Sequence, residues 1–164
     1  MINLLVNCLR VQLSVCLLIS CLPSFAEAEL PLPPVGYWKS FDDVTSLPDA
    51  EVRITEANNQ LTGTVVRDLI TAANDKPLIC DKCADDRKGK PVVGMQIIRY
   101  VRFNPDDNVW AGGQILDPDE GRIYKIRLKL LDGGKKMQVR GYFGLFYRTQ
   151  IWERLPDPAI AFGH

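Results

Sequence analysis

Apolar and polar residues alternate along most of this chain with a period of two. The cleanest stretch runs from Arg122 to Leu131, where Tyr124, Ile126, Leu128 and Leu130 share one side and Ile123, Lys125, Arg127 and Lys129 the other. Successive side chains of a strand point to opposite faces, so this pattern predicts a half-buried strand. Similar runs predict strands over Tyr37–Phe41, Glu51–Ala57, Gln60–Arg67, Met95–Phe103, Val109–Leu116, Met137–Tyr142 and Leu145–Leu155. Turn residues separate them: Asn58-Asn59, Asn104-Pro105-Asp106-Asp107, Asp117-Pro118-Asp119-Glu120-Gly121 and Asp132-Gly133-Gly134-Lys135. Short turns between consecutive strands make antiparallel hairpins. Eight such strands, each apolar on one face, bury those faces by closing into a barrel or stacking as a sandwich. The expected fold is all-β and antiparallel. Asp68–Asp75 is the one stretch with modest helical character, inside a long irregular break from about Asp68 to Gly94.

The N-terminus follows different rules. Arg10 precedes a nearly unbroken apolar run from Val11 to Leu22, and Ser24-Phe25-Ala26 closes it. A basic residue, a short apolar run and a small-x-small ending are the parts of an export signal. The run is shorter than the roughly 20 residues needed to span a bilayer. Residues 1–26 are therefore expected to be a signal peptide cut before Glu27. Residues 27–35 form a proline-rich leader, 36–155 the β-barrel domain and 156–164 a C-terminal tail. A second reading stays open. Leu18-Ile19-Ser20-Cys21 resembles a bacterial lipoprotein signal, and lipidation at Cys21 would hold the exported protein on a membrane.

Export narrows the chemistry. Cleavage removes Cys8, Cys16 and Cys21 and leaves Cys80 and Cys83, which are expected to pair in an oxidising compartment such as the periplasm. A redox motif would need a helix N-terminus after a strand, and a zinc site about four ligands. The Lys/Asp-rich loop around Cys80-Asp81-Lys82-Cys83 has neither context, so a local loop disulfide is the favoured reading. The signal takes only Arg10 among the charged residues, so acidic residues then outnumber basic ones by one. That balance offers no footprint for nucleic acid.

Several motifs carry a family resemblance. They are Gly36-x-Trp38, Cys80-x-x-Cys83, Asp86-Arg87-Lys88-Gly89-Lys90-Pro91, Gly94-Met95, Trp110-x-Gly112-Gly113, Asp117-Pro118, Val139-Arg140-Gly141-Tyr142 and Arg148-Thr149-Gln150-x-Trp152. This string resembles a family of secreted bacterial proteins known as a domain of unknown function, over about Gly36 to Leu155. The resemblance implies a lipocalin-like or fatty-acid-binding-like barrel of about eight strands and no assigned activity. In such barrels the Gly-x-Trp lays its indole across the closed end, under an arginine of the last strand. Arg148 and Arg154 both lie there, on one face with Gln150 and Trp152.

Candidate chemistry is sparse. The one histidine is His164, the last residue, so nucleophile–histidine catalysis has no base. Asp85-Asp86, Asp106-Asp107 and Asp117/Asp119/Glu120 sit in turn-type sequences. Asp42-Asp43 is less easily assigned to a turn. No metal and no cofactor is expected. The Gly112-Gly113 pair inside a strand reads as a bend or bulge. The first functional expectation is a non-enzymatic exported barrel for a small, mostly apolar ligand, such as a lipid with an acidic head. Candidate contacts are Trp38, Asp43, Trp110, Tyr124, Arg140, Tyr142 and Arg148, with Arg140 and Arg148 the candidates for an anionic head group. The alternatives are a side-chain-filled barrel serving as a structural or interaction protein of the envelope, and a carboxylate- or metal-dependent enzyme using Asp42 or Asp43.

Overall fold

The computed structural model describes residues 33–70 and 78–158. Eight strands follow one another: β1 (Gly36–Phe41), β2 (Pro48–Ala57), β3 (Gln60–Asp68), β4 (Gln96–Asn104), β5 (Val109–Asp117), β6 (Arg122–Leu131), β7 (Lys136–Phe143) and β8 (Phe146–Leu155). Each pairs antiparallel with the next, and β8 returns to β1 to close the barrel. Of the barrel and sandwich that the alternation allows, the fold is the all-β barrel that the family resemblance implies, and closure removes both sheet edges. The signal segment, the lipidation candidate Cys21 and most of the leader lie outside the described residues.

The alternation holds inside the barrel. Ile126 and Leu128 of β6, Met137 and Val139 of β7 and Trp152 of β8 point inward and are buried with Val52, Ile54, Leu61, Val65, Ile98 and Val101. Five strand starts differ from the sequence reading, those of β1, β4, β7 and β8 by one residue and that of β2 by three. β2 begins at Pro48, because the first position of a strand tolerates a residue without an N–H. β8 begins at Phe146, because Leu145 belongs to the turn after Gly144. Asp68, the first residue of the helical expectation, instead ends β3, and its carboxylate accepts the Ile70 N–H. Residues 71–75 of that expectation lie outside the described residues.

The two ends of the barrel differ. At one end the chain enters β1 under Trp38, which is fully buried and donates from Nε1 to the Pro34 carbonyl at 2.8 Å. The Arg154 guanidinium lies 4.3 Å from the Trp38 ring and donates to the carbonyls of Val35, Pro33 and Gly134. Gly36 permits this approach, since a Cβ there would sit 2.9 Å from an Arg154 nitrogen. Of the two arginines considered, Arg154 is the one that covers the indole.

At the other end lie the β1–β2 loop, the β5–β6 turn, the β7–β8 turn and the long β3–β4 connection. The connection is laced down from within. Arg87 is buried, grips Asp85 through Nε and a terminal nitrogen, and donates to the Gln96 carbonyl at 3.0 Å. Arg99 of β4 takes Asp86 in a two-pronged contact at 2.7 and 3.0 Å. The Cys80–Cys83 disulfide is present, and Cys80 Sγ rests 3.3 Å from the Pro118 carbonyl oxygen. The connection thereby packs on the β5–β6 turn.

Candidate functional site

A cavity of about 310 Å³ opens at this second end. Its walls come from the inward face of the strands. Ala50, Val65, Ile97, Ile115, Val139 and Trp152 line it, and Leu78 and Val92 of the β3–β4 connection close one side. Trp152 donates its indole N–H to Gln150 Oε1 at 2.8 Å, so this polar pair of the wall is satisfied internally. The volume sits at the lower end of the roughly 300–1,000 Å³ typical of small-molecule pockets.

The mouth is acidic. Asp42 and Asp43 come from the β1–β2 loop, Asp49 from the start of β2, Asp68 from the end of β3, and Asp117, Asp119 and Glu120 from the end of β5 and the turn after it. Among the described residues Arg148 is the single basic residue of the lining, and it pairs with Asp43 at 3.0 Å. Several carboxylates have local tasks. Asp42 accepts the N–H groups of Val44 and Thr45 and the Thr45 hydroxyl, and these bonds hold its carboxyl below the usual range. Asp117 accepts the N–H groups of Asp119 and Glu120, both at 3.0 Å, which is the turn chemistry expected of an Asp before Pro. Glu120 accepts the Tyr124 hydroxyl at 2.9 Å. Burial and this bond raise the phenol.

Asp49 and Asp119 differ. Among the described residues neither carboxylate accepts a hydrogen bond. Burial, then the nearby charges of Asp119, Asp42, Asp68 and Asp117, push Asp49 up to about 6. Asp119 is raised by burial first and by Asp117 second. A carboxyl raised in the native state binds a proton more tightly folded than unfolded, so its contribution to stability falls as pH rises from about 4 through 6. Asp49→Asn is therefore expected to melt higher than the parent at pH 7, with the gap closing by pH 4. Thermal unfolding across that range checks it, and a gap independent of pH would contradict the assignment.

The sequence candidates divide by position. Asp43, Tyr124 and Arg148 line the cavity. Trp38 plugs the opposite end. Trp110 packs on Phe103, with ring centroids 4.9 Å apart, beside the β4–β5 hairpin away from the mouth. Arg140 and Tyr142 alternate with Val139 and Gly141 and so face outward. There Arg140 donates to Thr149 at 2.9 Å and lies over Tyr147, which also meets Tyr142. Asp49 escaped the sequence reading because an Asp after Pro between two strands looks like any turn residue. Among the described residues, no group of three or more His, Cys, Asp or Glu is arranged to hold a metal ion.

A closed eight-stranded barrel, plugged at one end by an arginine-capped tryptophan and hollow at the other, defines a lipocalin-like fold. The chain belongs to the bacterial family described as "Uncharacterized protein conserved in bacteria (DUF2147)", whose model matches residues 36–154. Among solved structures it is similar to the Helicobacter pylori protein HP1028, described as belonging to the lipocalin family. The TM-score is 0.65 at 15% identity, covering 79% of this chain and 88% of that one. At that identity the likeness concerns the fold. No curated protein matches the sequence.

Proposed function

We propose that this protein is an exported, non-enzymatic barrel that holds a small, mostly apolar ligand in the cavity at its open end. The observation that carries the reading is the apolar-walled void of about 310 Å³ beneath the β1–β2, β3–β4 and β5–β6 connections. A barrel filled by side chains would leave no such space. The carboxylate-enzyme alternative is disfavoured by local geometry. Asp42 is held ionised by Thr45 and Val44, the opposite of what a general acid needs. Asp43 is engaged by Arg148.

Uptake of a neutral apolar fluorophore tests the proposal, alongside native mass spectrometry of protein purified from its own source. The parent is expected to bind the fluorophore. Val139→Trp, which fills the void from β7, is expected to weaken that binding at least tenfold while the barrel still melts cooperatively. Protein that carries no ligand from its source and takes up no fluorophore would refute a binding role. The exported location belongs to the same proposal, and intact-mass analysis of the mature protein tests it. A chain starting at Glu27 marks simple export, one starting at a lipidated Cys21 marks membrane anchoring, and an uncleaved chain contradicts export.

A further inference from the structure

The acidic mouth specifies the charge of what enters, an inference that rests on the cavity being a binding site. We propose that the cavity takes a cationic amphiphile, its apolar body against Val65, Ile115, Val139 and Trp152 and its protonated amine among the carboxylates of the mouth.

Two features point to an occupant. The first is the void itself, with Val65, Ile97, Ile115, Val139 and Trp152 in its wall and the charged groups at its mouth. The second is Asp49, a half-buried carboxyl that lines the void and accepts no hydrogen bond among the described residues. A buried charge without a partner is costly, and a partner arriving with a ligand removes that cost.

The arrangement of charge then selects the sign. Carboxylates reach the mouth from separate connections, and among the described residues the lining offers one guanidinium against them. That guanidinium, Arg148, already serves Asp43. The bonds made to Asp42 and Asp117 come from neutral hydroxyl and amide donors, which stabilise the negative charge without cancelling it. Lys82 of the disulfide loop is the cation whose field reaches Asp119. A fatty carboxylate would enter among like charges with no unengaged cation among the described lining residues to receive it. Arg140, the other arginine considered for such a head group, faces outward on β7. An ammonium group finds the reverse situation, in a site partly shielded from water where charge pairs act more strongly.

Among the described residues, the charges that raise Asp49 are Asp119 and Asp117 from the β5–β6 side, Asp42 from the β1–β2 loop and Asp68 from β3, all acidic. Their combined repulsion and the burial of Asp49 raise its carboxyl to about 6, so below that pH the site loses one of its negative charges. A cationic ligand is therefore held less tightly as pH falls through 6, and its binding at pH 6 releases a proton.

Three probes of equal chain length and different head charge test the proposal: decylamine, decanol and decanoate. Binding is read by calorimetry and by quenching of tryptophan fluorescence, at pH 7.5 and low salt. Decylamine is expected to bind at least tenfold more tightly than decanol, and decanoate more weakly than decanol. The spread is expected to shrink in 1 M sodium chloride, because salt screens partly exposed charges. Asp49→Asn and Asp119→Asn are each expected to weaken decylamine severalfold and leave decanol unchanged, which a merely structural role would not do. Equal binding of amine and alcohol, or preference for decanoate, overturns the cationic assignment and leaves the binding barrel standing. Failure of all three probes, with Val139→Trp indistinguishable from the parent, overturns both.

Discussion

Arg154→Met is expected to cost about 3 kcal/mol of folding stability, whereas Arg148→Met is expected to cost less than about 1 kcal/mol. The two arginines share a strand and a face, yet their surroundings differ. Arg154 donates to the carbonyls of Gly134, Val35 and Pro33 at 2.6, 2.8 and 2.5 Å and covers the Trp38 ring. Its removal leaves three acceptors without their donor and uncovers an indole that is otherwise fully buried. Methionine keeps part of the apolar stem but none of the donors. Arg148 makes one ion pair, with a side chain 58% exposed, and exposed pairs of that kind contribute little. Urea unfolding of both variants at neutral pH measures the difference. Similar losses for the two would show that the closed end does not depend on its arginine.

The adjacent glycines of β5 are expected to diverge in the same way. Gly113→Ala is expected to destabilise by about 3 kcal/mol and Gly112→Ala by about 1 kcal/mol. Gly113 falls between the Arg99–Gln114 and Arg102–Ala111 pairs of β4 and β5, next to Tyr100, whose φ is 66°. There the strands approach so closely that a Cβ on Gly113 would stand 2.3 Å from the Arg99 carbonyl oxygen and 2.6 Å from the Val101 nitrogen. Both obstacles are backbone, so the barrel wall itself would have to move. Gly112 has open space where its Cβ would go, and its substitution meets only the cost of φ at 78° in an L-residue. Comparing the two midpoints in one urea series checks this. A larger loss at Gly112 would mean that backbone conformation, not the approach of β4, dominates here.

The strands were legible because each is half-buried. Burial of one face forces alternation, and alternation is visible in residue types alone, as in Tyr124, Ile126, Leu128 and Leu130. Asp117 was legible as a turn residue for a similarly local reason, since its carboxylate bonds two N–H groups within three positions of itself. Asp49 was not. Its character comes from burial and from Asp119, Asp42, Asp68 and Asp117, which are brought near by the pairing of strands. Arg87 was hidden for the same reason. A charged residue in a Lys/Asp-rich stretch reads as exposed, yet it is 1% exposed, gripping Asp85 and the Gln96 carbonyl.

Taken alone, the sequence determined eight antiparallel strands, the inward side of most of them, a local Cys80–Cys83 pair and a set of motifs with a family resemblance. All of these depend on neighbours a few positions apart. The tertiary structure decided which end each inward residue occupies. Arg148 and Arg154 are six residues apart, which is roughly 20 Å along a strand, and alternation cannot say which of them meets Trp38. The closing register does, because Trp38 pairs with Arg154 where β8 meets β1. The same closure gathers Asp42, Asp49, Asp68 and Asp119 around one opening. Period two fixes a side chain's face, whereas convergence at one end is a property of the closed barrel.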